Sequence, residues 1–191
     1  MSPKITLYIG FFLVFIAALF SFSPNPYKDA LLFLDDSDRI THYRYINNKE
    51  EKEYFTKKTE VIGDKEYTVK IIADAYGKKT MSYVRKGTYY FYQYDPRTST
   101  EGVLVPINPK MGETWISADK SMKYEVIALE QRFQTPVKKY KKAIWIKGIP
   151  NRNPYGIQRA KQYLHYVRGE GLVAMTDARG EFLKYLSEID K

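Results

Sequence analysis

The chain has 191 residues, a formal net charge of +9 and no cysteine. The missing cysteine excludes disulfides, thiolate metal sites, a cysteine nucleophile and lipoprotein processing, which needs a cysteine after the signal. Hydrophobic residues make up 44%, enough for a real core, and 18 tyrosines beside 10 phenylalanines and 2 tryptophans favour sheet over helix.

The first element is the run Ile5 to Phe22, ITLYIGFFLVFIAALFSF, which holds no charge and no proline. As a helix it would reach roughly 27 Å, close to the hydrocarbon thickness of a bilayer. Residues 1–23 are therefore expected to be a retained membrane anchor. The alternative is a cleaved signal. Ser21 and Ser23 have the spacing of a cleavage site, but Pro24 would then follow the cut. Lys4 precedes the run, whereas Asp29, Asp35, Asp36 and Asp38 follow it with only Lys28 among them. Positive charge stays inside, so the rest of the chain is expected outside the cytoplasmic membrane of a bacterium. The expected localisation is single-pass in the inner membrane, with a secreted or periplasmic protein as the alternative if the signal is removed.

Pro24 and Pro26 end the helix and open a linker, residues 24–38. Within it Tyr27 to Leu34, YKDALLFL, suits either a short interfacial helix or a first packed segment. Residues 39–191 then read as one antiparallel β domain. Ile40 to Ile46 alternates, with Tyr43 and Tyr45 on one face and His42 and Arg44 on the other. Asn47-Asn48 marks a turn, Tyr54 to Ile62 a strand, and Gly63-Asp64 a hairpin leading into Glu66 to Ala73. There Tyr67, Val69, Ile71 and Ala73 form a buried stripe. Lys79 to Arg85 follows, and Gly87 turns the chain into Thr88 to Tyr94. This strand carries Tyr90, Tyr92 and Tyr94 on one face and Tyr89 and Phe91 on the other. One face must be covered by packing or used to line a groove for an apolar or extended ligand.

Val103 to Ile107 is a short strand that Pro106 places near an edge. Glu113 to Ile116, Met122 to Leu129, Gln131 to Pro136, Tyr140 to Ile149, Tyr163 to Arg168 and Leu172 to Thr176 continue the pattern. Phe182 to Ile189 fits a strand or a short amphipathic helix. The fold class is mainly β. About nine to eleven strands joined by short turns form a curved antiparallel meander, a half-barrel or sandwich.

Three stretches carry a resemblance: Met111-Gly112-Glu113-Thr114-Trp115, Thr135-Pro136, and Tyr166-Val167-Arg168-Gly169-Glu170-Gly171-Leu172-Val173. They resemble a pattern in uncharacterised bacterial envelope proteins, in which a G-x-x-W turn precedes a hairpin and a Y-x-x-G-x-G-L-V turn precedes the final strand. More broadly the chain is similar to the curved antiparallel sheets that include the periplasmic lipoprotein carriers (LolA/LolB-like). One departure is that Thr135-Pro136 runs straight into Val137-Lys138-Lys139, without the glycine usual there. The resemblance implies the fold and carries no catalytic residues.

The chemistry-bearing residues are sparse. His42 and His165 lie inside strands with no third ligand at metal spacing, so they read as strand histidines satisfied by neighbours or solvent. Asp35, Asp36 and Asp38 lack the glycine and glutamate of a calcium loop. No serine sits in a nucleophile elbow, and no Gly-rich loop opens a helix. Glu125 and Glu130, or Glu66 and Asp74, look like solvent-face charges. No cofactor, no metal and no enzymatic activity are expected, and the extracytoplasmic location disfavours nucleic acid.

The densest positive patch is Lys138, Lys139, Lys141 and Lys142 around Tyr140. It suits anionic headgroups, glycan phosphates or an acidic partner, or else simply solvates a hairpin and discourages edge-to-edge aggregation. Two functions remain. One is a membrane-tethered, non-catalytic binding module whose partner is another envelope protein. The other is a carrier or sensor of a lipid-like ligand held on a concave aromatic face. The candidate surface in either case is Tyr90, Tyr92 and Tyr94 together with the four lysines.

Overall fold

A computed structural model describes residues 31, 32, 34, 36–152 and 154–190. The expected anchor and most of the linker lie outside the described residues. Twelve strands follow in order. β1 spans Ile40–Tyr45, β2 Glu50–Ile62, β3 Lys65–Ala73, β4 Lys79–Lys86, β5 Tyr90–Asp95 and β6 Thr100–Pro106. β7 spans Thr114–Ile116, β8 Met122–Gln134, β9 Lys139–Pro150, β10 Gln162–Val167, β11 Gly171–Asp177 and β12 Phe182–Asp190. No helix occurs among the described residues.

All twelve belong to one antiparallel sheet with the order β6-β5-β4-β3-β2-β1-β12-β11-β10-β9-β8-β7. The first six strands form one meander and the last six another, and β1 pairs with β12 to join them. The sheet curls until its two edge strands, β6 and β7, nearly meet. Thr100 Oγ1 donates to the carbonyl of Ala118 at 2.6 Å across this seam. A Cβ on Gly102 would lie 2.5 Å from the Ala118 backbone, so only glycine lets the edges approach this closely. The result is nearly a closed barrel, with twelve strands rather than nine to eleven. Pro106 does fall on an edge strand. The segment Phe182 to Ile189 is a strand, and Gln131 to Pro136 is largely the far end of β8, separated by bulges and by Glu130 at a φ of 56°.

Turn chemistry explains the connections. Gly63 has a φ of 66°, the left-handed conformation that the tight β2–β3 hairpin needs. At the β8–β9 turn, the Lys138 amide donates to Thr135 Oγ1 at 3.1 Å and the Thr135 amide to the Lys138 carbonyl at 2.9 Å.

The main core joins the two meanders across the interior. Phe91 and Val105 of β5 and β6 meet Trp115, Val126, Ile144, Ile146 and Tyr166 of β7 to β10. Leu31, 1% exposed, sits in the same cluster, with Leu32 and Leu34 packed against it. The described part of the Tyr27–Leu34 stretch is therefore a packed segment, and its leucines plug the curled sheet. A second cluster gathers Tyr43, Tyr140, Val173 and Leu186.

Candidate functional site

The tyrosines of β5 face away from the core. Phe91 points into it, and alternation along the strand puts Tyr90, Tyr92 and Tyr94 on the opposite side. That side carries its own polar aromatic layer. Tyr94 packs against Tyr67 and Tyr83, with ring centroids 6.0 and 6.3 Å apart, and Tyr90 meets Tyr92 at 6.2 Å. The Arg85 guanidinium lies 4.2 Å from the Tyr92 ring centroid, a cation–π distance. Arg85 also forks onto Glu101 at 2.6 and 2.7 Å, and the Tyr67 hydroxyl and Lys65 ammonium donate to the same carboxylate. Glu101 is held at about 2, first by the Arg85 hydrogen bond, against the opposing effect of burial. Tyr92 and Tyr94 are thus committed to packing, while Tyr89, on the preceding turn, is 74% exposed.

The four lysines divide differently. Lys138 reaches both oxygens of Glu170 at 2.9 Å and lies 5.3 Å from the Tyr140 ring centroid. Lys142 pairs with Glu130 at 3.2 Å, but both side chains are more than two-thirds exposed, so the pair contributes little. Lys139 and Lys141 are exposed and have no ion-pair partner among the described residues. In the sheet order β5 is a neighbour of neither β8 nor β9, so the expected surface falls into two parts.

The interior holds a charged cluster that periodicity did not reveal. Glu53 of β2 lies between Lys70 of β3 and Lys184 of β12, the latter at 3.0 Å. Lys184 also donates to Glu51 at 2.5 Å, and the Tyr45 hydroxyl donates to Glu51 at 2.8 Å. Lys184 lies 4.3 Å from the Tyr43 ring centroid. Burial alone would raise the Glu53 carboxyl, but Lys70 and Lys184 outweigh it and hold the group well below the usual carboxylate range. Burial opposes the Lys184 charge, and Glu53 and Glu51 more than compensate, raising it. The available signal was the placement of Glu51 and Glu53 on the same face of β2, across from Tyr43 and Thr41 of β1. Beside this cluster is a cavity of about 190 Å³ lined by Leu31, Leu32, Arg39, Tyr43, Phe55 and Tyr166 among others.

The two ends of the curled sheet differ. Successive turns of a meander alternate between its ends. One end holds the start of β1 and the β2–β3, β4–β5, β6–β7, β8–β9 and β10–β11 connections. There Arg39 donates to the Glu170 carbonyl at 2.8 Å, which brings the incoming chain beside the lysine hairpin. A hollow of about 600 Å³ at this end is lined by Pro109, Leu129, Ile144 and Val167 together with Glu130, Lys142 and Arg168. The other end carries a polar hollow of about 270 Å³. In it Asp119 accepts from Ser117 at 2.6 Å, Ser121 at 2.7 Å and Arg159 at 3.2 Å. Burial would raise Asp119, yet these donors hold it at about 2. Arg97 chelates Asp95 through Nε at 3.1 Å and a terminal nitrogen at 2.7 Å, and comes within 3.8 Å of Asp119, so the cluster also latches the seam.

The histidines are far apart in role. His42 meets Asp190 at 2.8 Å. His165, on the face opposite Tyr166, is stacked under Phe133 with centroids 4.0 Å apart and bonds Thr176 at 3.1 Å. Burial lowers it to about 4. No group of three metal-ligating side chains occurs among the described residues. Compared with family models, curated proteins and solved structures, the chain matches none.

Proposed function

We propose that this chain is a membrane-tethered, extracytoplasmic β-sheet binding module of the bacterial cell envelope, non-catalytic, whose partner is another envelope protein. The observation that carries this reading is the filled interior. Leu31 joins the main core, and the cavity it lines, of about 190 Å³, falls below the roughly 300 Å³ at which ligand pockets begin. The Tyr90, Tyr92 and Tyr94 rings lie on the face away from that core, and Tyr89 on the preceding turn is an exposed anchor for a partner.

A second reading, a carrier or sensor of a lipid-like ligand, is favoured by the hollow of about 600 Å³. Its apolar side chains and the cations Lys142 and Arg168, the first of them paired with Glu130, suit an anionic amphiphile. Native mass spectrometry of the full chain released from mild detergent separates the two. The module reading expects the bare polypeptide, together with a protein captured by cross-linking from envelope membranes. A stoichiometric lipid that is lost on Leu129→Lys would overturn it in favour of the carrier.

A further inference from the structure

We infer that the β8–β9 hairpin docks the domain onto the anionic surface of the bilayer holding the anchor, through Lys139 and Lys141 with Val137 at its tip. The inference rests on the membrane-tethered reading above. Three features of the molecule carry it.

The first is tether length. If the anchor ends near Ser23, the chain from there to Leu31 spans at most about 28 Å even when fully extended. Leu31 is fixed in the core, and β1 starts at the end of the sheet that bears the lysine hairpin. So short a leash keeps this end, rather than the Arg97–Asp119 end, against the bilayer.

The second is the identity of the nearest hairpin. Arg39 and Lys138 bind the carbonyl and the carboxylate of the same residue, Glu170, so the incoming chain and the hairpin sit side by side. Within the hairpin Lys138 is spent on Glu170, whereas Lys139 and Lys141 remain exposed with no ion-pair partner among the described residues. Of the acids near the hairpin, Glu170 is engaged with Lys138 and Glu130 with Lys142, while the exposed Glu188 of β12 lines a hollow shared with Val137 and Lys138. Asp36, Asp38 and Asp64 also lie at this end, so the end as a whole is mixed in sign, and docking tilts the domain onto its hairpin edge.

The third is the apolar tip. Val137 is 53% exposed on a turn that its own hydrogen bonds hold rigid, and Met111 on the β6–β7 connection is 63% exposed. Lysines flanking an exposed apolar tip suit the boundary between headgroups and acyl chains. An acidic protein would use the same lysines but gives Val137 no apolar phase to enter.

The absence of cysteine makes the test clean, because an introduced thiol is the only one. Full-length Val137→Cys and, as control at the opposite end, Tyr76→Cys are labelled with an environment-sensitive fluorophore. Each is reconstituted in vesicles of phosphatidylcholine alone or mixed with phosphatidylglycerol. Quenching by nitroxide lipids is expected to be several-fold stronger at position 137 than at 76 in the mixed vesicles. High salt, pure phosphatidylcholine, or Lys139→Gln with Lys141→Gln is expected to remove most of that difference. Equal quenching at both positions, or indifference to phosphatidylglycerol, in a chain that floats with the vesicles and resists carbonate extraction overturns the docking alone. A chain that does not float overturns the membrane-tethered reading as well.

Discussion

Replacing Lys184 by methionine keeps the length of the side chain and removes the ammonium that Glu51 and Glu53 share. The three side chains are only 10–13% exposed, so solvent screens their interaction poorly. After the substitution Glu53 still has Lys70, but Glu51 keeps only the Tyr45 hydroxyl. Removing one partner of a buried pair costs about 3–5 kcal/mol. Because Lys70 stays, the lower figure applies, about 3 kcal/mol, or a Tm lower by about 6–12 °C for a domain of this size. Thermal and urea unfolding of the full chain in non-denaturing micelles, followed by emission of Trp115 and Trp145, measures it. Adding Glu51→Gln to Lys184→Met should restore part of the loss, since the stranded charge is then gone. The pH dependence has a definite sign. Glu53 is depressed, so its contribution is present above the unfolded value of about 4.3 and disappears as pH falls below it. Lys184 is raised, so its contribution is present below about 10.4 and disappears at higher pH. A loss under about 1 kcal/mol, the worth of a solvent-screened pair, would refute the reasoning.

Leu31→Ala should cost about 2–5 kcal/mol in the same urea titration, because it opens a cavity in the main core; no measurable change would mean the leucine segment does not hold the core together. Gly102→Val drives a side chain into the Ala118 backbone and should cost about 1–3 kcal/mol. Hydrogen exchange should then quicken in β6 and β7 but not in β1 and β12, and uniform quickening would contradict a local seam. His165 should titrate near about 4 by NMR. Its folded value lies below the unfolded value of about 6.5, so stability is complete above that pH and falls toward 4, by at most about 1.4 kcal/mol per pH unit. His165→Gln should abolish this slope between pH 6.5 and about 5, above the range in which the depressed carboxylates contribute, and a slope that persists there assigns it to other groups.

Strand existence was legible because alternation and turn residues agree along most of the chain. What alternation cannot tell is which face is inside. In TYYFYQY three tyrosines share one face and suggest that it packs inward, yet the lone Phe91 enters the core. Phenylalanine has no polar atom to satisfy, whereas the hydroxyl of Tyr67, across the sheet, finds Glu101, so the tyrosine face can be both aromatic and partly wet. The charged cluster escaped notice for a related reason. Glu51 and Glu53 look like solvent-face acids until the pairing of β1 with β12 brings Lys184 beside them from 131 residues away in sequence. The lysine run was visible as composition. That two of its members are paired and two are not depends on Glu170 and Glu130, whose positions follow from turns and bulges rather than from periodicity.

The joint between β1 and β12 has a temporal consequence. His42 bonds a residue 148 positions further along the chain, so the first strand is synthesised long before its second neighbour exists. Until the last strand is delivered, β1 and β11 each offer a bare row of amides and carbonyls to any passing strand. Nothing short of the whole polypeptide closes that gap, and loop-closure entropy makes such late pairing slow. A version truncated before Phe182 is therefore expected to emerge as aggregates rather than as a smaller soluble sheet.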